Sequence, residues 1–283
     1  MAIKLIVTDL DGTFLSDFYQ VSEKNIKAVR AAKEKGVMIS ACTTRNWAMA
    51  KGVVRWGELN GLAACCNGAS FVRVEDGFVI NRHCLPRRSL EGLVRISLEY
   101  EAKIALYSHE QTLMEPTTSP MHYLMIREDW PNHIPPLRIP VTKCDTIDEM
   151  VILGREDTQL LEVFSKDGKP LPAEWAERIH AQGNFHIAEP NQGCYHVSFA
   201  GASKLKAAQA LARQLRLKPE EVMCLGDAYS DSEMIQWAGV GVAMGNAEEG
   251  IKPLADFVLT GKSRYSSSVI PVRVRYPESS RVT

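Results

Sequence analysis

Hydrophobic residues along this chain form short runs that alternate with longer amphipathic segments. Apolar runs at residues 3–8, 37–42 and 62–66 have the length of buried strands. Segments 22–36 and 46–56 lie between these runs, and their apolar positions recur at the spacing of one helix face. Because neighbouring parallel strands need a helical crossover, the alternation predicts an α/β fold whose doubly wound parallel sheet is covered by helices on both faces.

The pattern becomes less regular between residues 83 and 191. After a hairpin within residues 71–80, we expect strands at 104–107 and 149–153 and helices at 88–102, 157–164 and 172–181. This mixture predicts an inserted α+β cap domain at residues 83–191.

Regular alternation resumes near Tyr195. We expect a helix capped by Ser203, a helix from Asp231, and strands at 222–225, 240–244 and 257–259. The predicted core is therefore discontinuous and consists of residues 1–82 and 192–283. Its interruption by a separate domain would place a cap over the carboxyl ends of the core strands, where open parallel sheets bind ligands.

Two pairs of aspartates follow strand-like runs. Asp9 and Asp11 come directly after the first strand, and Asp227 and Asp231 follow the run at 222–225. Carboxyl ends of parallel strands meet at one edge of a sheet, so these four acids can lie close together. Their mutual repulsion indicates a divalent cation, and ligands that are all oxygen favour Mg²⁺ over zinc.

Further polar motifs follow other strand-like runs. These are Cys42-Thr43-Thr44-Arg45, Gly201-Ala202-Ser203-Lys204 and Gly245-Asn246-Ala247. Taken singly, each has an ordinary explanation: Thr43 as a helix cap, Lys204 as a solvated lysine and Asn246 as a turn residue. Taken in order with the acid pairs, they resemble the motifs of the haloacid dehalogenase superfamily. The resemblance is to the Cof type (subfamily IIB) of sugar-phosphatase-like hydrolases, and it extends from Ile3 to about Leu259.

The resemblance implies a magnesium-dependent phosphatase that hydrolyses sugar phosphates or similar small phosphorylated metabolites. Asp9 would attack phosphorus and form an aspartyl phosphate, and Asp11 would protonate the leaving group and later activate water. The implied metal ligands are Asp9, the backbone carbonyl of Asp11, and Asp227. Asp231 would bind the metal through water or orient Lys204. The implied phosphate-binding residues are Leu10, Thr43, Thr44, Lys204, Ser230 and Asn246.

Three residues depart from the motifs of this family. Thr44 and Leu205 each stand where glycine is usual, and Ser230 stands where asparagine is usual. Thr44 adds bulk beside the phosphate and calls a left-handed turn into question. Two alternatives stay open: a phosphomutase that uses the same chemistry, and a catalytically weakened phosphate-binding regulatory protein.

The composition of the chain limits the kinds of partner that it can bind. The 283 residues include 33 Lys and Arg against 34 Asp and Glu, which argues against nucleic acid or a membrane surface as a partner and leaves a small phosphate ester. The seven cysteines form no Cys-x-x-Cys pair, and no apolar run has the length of a membrane span. We therefore expect a reduced, cytoplasmic protein. Its oligomeric state cannot be read from the sequence.

Two segments carry weaker signals. Tyr123, Arg127 and Trp130 lie in a proline-rich stretch of the cap and are candidate substrate contacts, although an ordinary surface role is the commoner explanation for each. Residues 261–283 depart from the pattern of the family, with four arginines and six serines. We expect this tail to pack poorly.

Overall fold

The computed structural model describes residues 2–15, 21–117 and 141–259. The strands are β1 (Leu5–Thr8), β2 (Met38–Cys42), β3 (Leu62–Cys65), β4 (Ser70–Arg73), β5 (Val79–Arg82), β6 (Lys103–Tyr107), β7 (Thr112–Met114), β8 (Val141–Lys143), β9 (Leu160–Phe164), β10 (Phe185–Asn191), β11 (Cys194–Phe199), β12 (Val222–Gly226), β13 (Val240–Ala243) and β14 (Phe257–Val258). The α-helices are α1 (Glu23–Glu34), α2 (Trp47–Trp56), α3 (Arg87–Glu99), α4 (Ile147–Gly154), α5 (Ala173–Ala181), α6 (Lys204–Gln214) and α7 (Ser232–Trp237).

The first sheet has eight strands in the order β14-β13-β12-β1-β2-β3-β4-β5. Strand β1 pairs in parallel with β12 on one side and β2 on the other, and β3, β4 and β5 form an antiparallel edge. Ile6 packs in the apolar cluster that includes residues of α1 and α2, whereas Leu5 and Val7 pack in the cluster that includes residues of α6. Both faces are therefore covered, as the apolar runs predict.

Three helices of the first domain begin at capping side chains, of which Ser203 was the predicted one. The side-chain oxygens of Ser22, Asn46 and Ser203 accept hydrogen bonds from backbone amides three residues ahead, at 3.1, 2.9 and 3.1 Å. Each bond satisfies a donor that the first helical turn leaves without a partner. These caps define where α1, α2 and α6 begin at the edge of the sheet.

The second sheet has six strands in the order β10-β11-β9-β6-β7-β8 and is antiparallel except between β7 and β8. Leu106 and Leu161 of this sheet pack with Leu90 of α3 and Trp175 of α5 in one buried cluster. The sequence-based division at residue 192 puts β11 with the core. Hydrogen bonding of β11 to both β10 and β9 instead places it inside the second sheet, which therefore ends at Phe199.

The predicted strand at residues 149–153 is wrong, because this segment lies in helix α4. The Thr146 hydroxyl accepts a hydrogen bond from the amide of Glu149 at 3.1 Å, and Asp148 and Glu149 occupy the first turn, where negative charge favours a helix. Local capping thus decides the structure of an apolar run that is too short to be classified by periodicity.

The predicted helix at residues 157–164 is also wrong, because Leu160–Phe164 forms strand β9. This strand lies between β11 and β6 and pairs with both. Leu161 and Val163 face the cluster with the helices, and Leu160 and Phe164 face the opposite cluster. A central strand buried on both faces has no polar alternation, so the run resembles a helix in sequence.

Some sequence-based predictions lie outside the described residues. These are the candidate substrate contacts Tyr123, Arg127 and Trp130, and the tail 261–283. Within the described ranges, none of the helices has both the length and the apolar character that a membrane span requires. All seven cysteines are free thiols.

Candidate active site

Strand register brings the predicted acids to one edge of the first sheet. Thr8, the last residue of β1, is aligned with Ala41 of β2 and with Leu225 of β12. The amide of Asp9 then donates to the carbonyl of Leu225 at 3.0 Å, which holds Asp9 at the end of the pairing. Asp9 is 4% exposed. The loop that follows β12, which carries Asp227, is therefore adjacent to Asp9.

Lys204 joins two of the four acids. Its ammonium Nζ donates to Asp9 Oδ1 at 2.8 Å and to Asp231 Oδ1 at 2.7 Å, and all three side chains are buried. Burial opposes the charge of Lys204, but Asp231 and Asp9 outweigh it and hold the pKa of the lysine well above its usual value. The lysine is therefore a fixed positive charge beside the end of β1.

The carboxyl group of Asp9 remains in a negative environment despite this contact. Burial raises its pKa well above the usual value, Lys204 lowers it in part, and Asp231, Asp227 and Asp11 raise it further. In the part of the chain that the structure describes, the hydrogen bond from Lys204 is the one that the Asp9 carboxylate receives. One ammonium does not offset this cluster of acids.

Asp231 has both carboxylate oxygens engaged. Oδ1 accepts from Lys204, and Oδ2 accepts from the backbone amides of Asp227 and Ala228, each at 3.1 Å. A Cβ at Gly226 would come within 2.3 Å of the Asp231 Cβ, so only glycine allows this approach. Asp231 thus closes the loop after β12 and orients Lys204.

Asp227 is held from two sides. The Thr13 hydroxyl donates to Oδ1 at 2.8 Å, and the Asn246 side-chain amide donates to Oδ2 at 3.2 Å and to the Gly12 carbonyl at 3.0 Å. Burial raises the pKa of Asp227 to about 6, although the hydrogen bond from Thr13 opposes the shift. Asn246 therefore ties the loop after β1 to the loop after β12.

The acid cluster fits a hard divalent cation. Asp9, Asp227 and Asp231 each place a carboxylate oxygen within 4.8 Å of the others. The donors are all oxygen, and burial, with the neighbouring acids adding to it, raises the pKa of both Asp9 and Asp227, so a bound cation would favour their ionised forms. Both oxygens of Asp231 are held by Lys204 and by backbone amides, whereas Oδ2 of Asp9 accepts no hydrogen bond from a described residue, so Asp9 is a better candidate for a direct ligand than Asp231.

Asp11 pairs with Arg45, whereas Asp9 and Asp231 pair with Lys204. Arg45 donates from Nε to Asp11 Oδ2 at 2.7 Å and from a terminal nitrogen to Oδ1 at 2.6 Å, a bidentate pair. The arginine side chain is 9% exposed and the aspartate side chain 39%. Sequence reasoning missed the role of Arg45, although it is the last residue of the motif that begins at Cys42.

Thr43 and Thr44 follow β2 beside this pair. Thr43 is fully buried, and its hydroxyl accepts from the Arg45 amide at 3.2 Å. Thr44 is half-buried and is absent from the described residues that adopt positive φ. The expected conflict between Thr44 and a left-handed turn therefore does not arise.

The remaining predicted phosphate-binding residues occupy different environments. Leu10 is fully buried and its side chain packs in the core, so its backbone amide is the group that can serve a ligand. Ser230 is half-buried and lines a pocket together with Lys204.

Asn67 is a residue of this region that sequence reasoning missed. It is 4% exposed, has a φ of +55°, and donates its backbone amide to the Thr43 carbonyl at 2.9 Å. Its side-chain oxygen is buried and has no hydrogen-bond partner among the described residues. The dipeptide Asn67-Gly68 at the end of a strand was the available signal.

Comparison with known proteins agrees with this geometry. The family model for haloacid dehalogenase-like hydrolases matches residues 6–268. The chain belongs to this family. Among relatives of this hydrolase, the phosphatase candidate YxeH of Bacillus subtilis (strain 168) is 30% identical over 273 residues, which cover 90% of this chain and 92% of YxeH.

Two solved structures show the same fold. A haloacid dehalogenase-like hydrolase from B. subtilis superposes with a TM-score of 0.76 at 24% identity, covering 91% of this chain and 94% of its own. The sugar phosphatase BT4131 of HAD subclass IIB gives a TM-score of 0.70 at 23% identity, with 90% and 93% covered. The α/β core with an inserted second sheet is therefore the architecture of this family.

Proposed function

We propose that this hydrolase is a magnesium-dependent phosphatase that acts on small phosphorylated metabolites, such as sugar phosphates, through an aspartyl-phosphate intermediate. The observation that carries the proposal is the buried contact of Lys204 with Asp9 and Asp231, at 2.8 and 2.7 Å, beside the Asp227 carboxylate. Relatives named as phosphatases support the same activity.

Asp9 is the proposed nucleophile. Its carboxylate oxygen attacks phosphorus as the bond from phosphorus to the leaving oxygen breaks, and the phosphoryl group is transferred to Asp9. Lys204 orients this carboxylate and supplies positive charge to the phosphoryl oxygens. Water then attacks the aspartyl phosphate, releases inorganic phosphate and restores Asp9.

Asp11 is the proposed acid and base. It must give a proton to the leaving oxygen in the first step and take one from water in the second. The guanidinium of Arg45 occupies both carboxylate oxygens of Asp11. Delivery of a proton in the first step therefore requires Asp11 to leave at least one of these hydrogen bonds.

The phosphoryl group would be held by backbone and side-chain donors. We assign this role to the amides of Leu10 and Thr44, the hydroxyls of Thr43 and Ser230, Lys204 and Asn246. Asp9, Asp227 and the Asp11 backbone carbonyl would hold Mg²⁺, with Asp231 acting through water or through Lys204. When bound, Mg²⁺ supplies charge that offsets the negative phosphoryl oxygens.

Phosphate release from p-nitrophenyl phosphate with Mg²⁺ tests the proposal. Asp9→Asn should lower the rate at least about a thousandfold, since it removes the nucleophile, whereas Asp167→Asn on an exposed cap loop should have no effect. Undiminished turnover by the Asp9 variant would refute the mechanism. Transfer of phosphate to a sugar acceptor in place of water would support a mutase, and binding of phosphate without turnover would support a regulatory protein.

A further inference from the structure

Side chains of three metal-binding types converge on one face of the second sheet, apart from the acid cluster of the candidate active site. Cys194 and His196 lie two residues apart on β11, and Glu162 of β9 is aligned with His196. Tyr195 and Val197, which alternate with the first two, pack in the cluster with the helices. Cys194, His196 and Glu162 therefore share the opposite face of the sheet.

The spacing of the three donor atoms fits a metal ion. The Sγ atom of Cys194 lies 3.9 Å from Glu162 Oε1 and 3.9 Å from His196 Nε2, and these last two atoms lie 3.1 Å apart. Zinc bonds of about 2.3 Å to sulfur and about 2.0 Å to nitrogen and oxygen give separations of about 3.5 and 3.3 Å at tetrahedral angles. The observed separations differ from these values by no more than about 0.4 Å. A small contraction would therefore complete the coordination.

The carboxylate of this cluster is oriented from outside it. The Tyr107 hydroxyl donates to Glu162 Oε2 at 2.7 Å, and Oε1 is the oxygen that faces the other two donors. Cys194, His196 and Glu162 are all buried. Hydrogen bonds from a neighbouring side chain to a ligand are a regular feature of protein metal sites, because they fix the direction of the donor atom. Tyr107 has this position here.

The donor types select zinc over magnesium. Thiolate and imidazole ligands suit Zn²⁺, whereas Mg²⁺ prefers ligands that are all oxygen. Burial, with Glu162 and Glu189 adding to it, raises the pKa of the Cys194 thiol, so a bound cation is needed to favour the thiolate. Three protein ligands also leave one position of a tetrahedral ion open for water.

An ion can approach the cluster from the space between the two sheets. Ala188 of β10 is aligned with His196 and lines a pocket of about 290 Å³ that Lys204 lines from the other side. An ion that enters this pocket would be one strand away from the cluster. The pocket therefore offers the entry path that a buried metal site requires.

We propose that Glu162, Cys194 and His196 form a zinc site in the second domain, separate from the proposed magnesium site. Bound Zn²⁺ joins β9 to β11, two interior strands of the second sheet, and stabilises this domain. The site shares no residue with the acid cluster, so it does not depend on the proposed phosphatase function.

Cobalt substitution tests this site. A cysteine thiolate bound to Co²⁺ gives a charge-transfer band in the near ultraviolet, and oxygen ligands do not. The metal-free protein, with excess Mg²⁺ to occupy the acid cluster, should bind an equimolar amount of Co²⁺ with this band, and Zn²⁺ should remove the band by displacement. Cys194→Ser should abolish the band and lower the Co²⁺ affinity at least about a hundredfold. Cys84→Ser, at a half-buried free thiol outside the cluster, is the matched control and should change neither.

Tyr107→Phe provides a second variant that keeps all three ligands. It removes the hydroxyl that orients Glu162, so the Co²⁺ affinity should fall about tenfold while the band remains. Zn²⁺ should raise the urea midpoint of the wild type and of the Cys84 variant but not that of Cys194→Ser. A wild type without the band, a band that persists in Cys194→Ser, or a Tyr107 variant that binds Co²⁺ as tightly as the wild type would each overturn the proposal.

Discussion

Replacement of Lys204 by methionine tests the electrostatic centre of the site. Methionine keeps the length and apolar stem of the side chain but removes the ammonium that lies 2.8 Å from Asp9 and 2.7 Å from Asp231. Asp9 is 4% exposed and Asp231 is fully buried, so neither carboxylate can recover full hydration. The variant therefore leaves two buried acids without their counterion.

The expected cost follows from this geometry. Removing one partner of a buried ion pair typically lowers the free energy of unfolding by about 3–5 kcal/mol. Asp9 already has a raised pKa and can take up a proton, which reduces the penalty. We therefore expect a loss of about 3 kcal/mol without metal. Bound Mg²⁺ should restore part of this loss, because it neutralises the same acids.

Urea denaturation in EDTA and in excess Mg²⁺ measures both effects. Lys206→Met is the matched control, because Lys206 is exposed on the same helix and should change stability by less than about 0.5 kcal/mol. Mg²⁺ should stabilise the Lys204 variant more than the wild type. A Lys204 variant as stable as the control in EDTA would show that the bridge has no energetic role, and the reasoning from burial would fail.

Three further predictions concern the neighbouring residues. Arg45→Ala should slow hydrolysis of the aspartyl phosphate more than its formation, because the first step requires Asp11 to leave a hydrogen bond with Arg45 and the second does not. Stopped-flow assays with p-nitrophenyl phosphate should then show a burst, and a linear time course would contradict this role. Gly12→Ala should lower activity at least about a hundredfold, because the alanine Cβ would clash with Asp227 Oδ2 at 2.1 Å and the backbone φ of +80° is strained for alanine. An unchanged kcat/KM would refute this close approach. The pKa of Asp227 rises from 3.8 to about 6 on folding, so the folded state binds this proton more tightly than the unfolded chain. Metal-free wild type should therefore lose stability as pH rises from about 4 to about 6, and Asp227→Asn should flatten this dependence in urea titrations.

The sequence predicted the first sheet well because its signals are local. Each crossover combines a short apolar run, a capping residue such as Ser22 or Ser203, and an amphipathic helix, and these agree with one another. The acids at the strand ends also follow from this order, since parallel strands bring their carboxyl ends to one edge. Asp9, Asp227 and Asp231 were therefore predictable as a cluster.

The second sheet was predicted less well because its strands are specified by distant partners. The predicted strand at α4 is a helix and the predicted helix at β9 is a strand, because periodicity cannot assign short apolar runs to either type. Membership of β11 depends on pairing with β9, which lies far back in the sequence. The contact of Arg45 with Asp11 is likewise non-local, so the motif alone could not reveal it.

A short segment connects the second sheet to the helix that carries Lys204. Strand β11 ends at Phe199 and helix α6 begins at Lys204, and the intervening Ala202 is buried against residues of the second sheet and of the segment that links β3 to β4. Extra residues inserted between Phe199 and Lys204 would uncouple the Lys204 ammonium from the second sheet, whereas lengthening the exposed turn at 166–169 would leave the ammonium in place. The length of this connection therefore sets the position of the Lys204 ammonium relative to the second sheet.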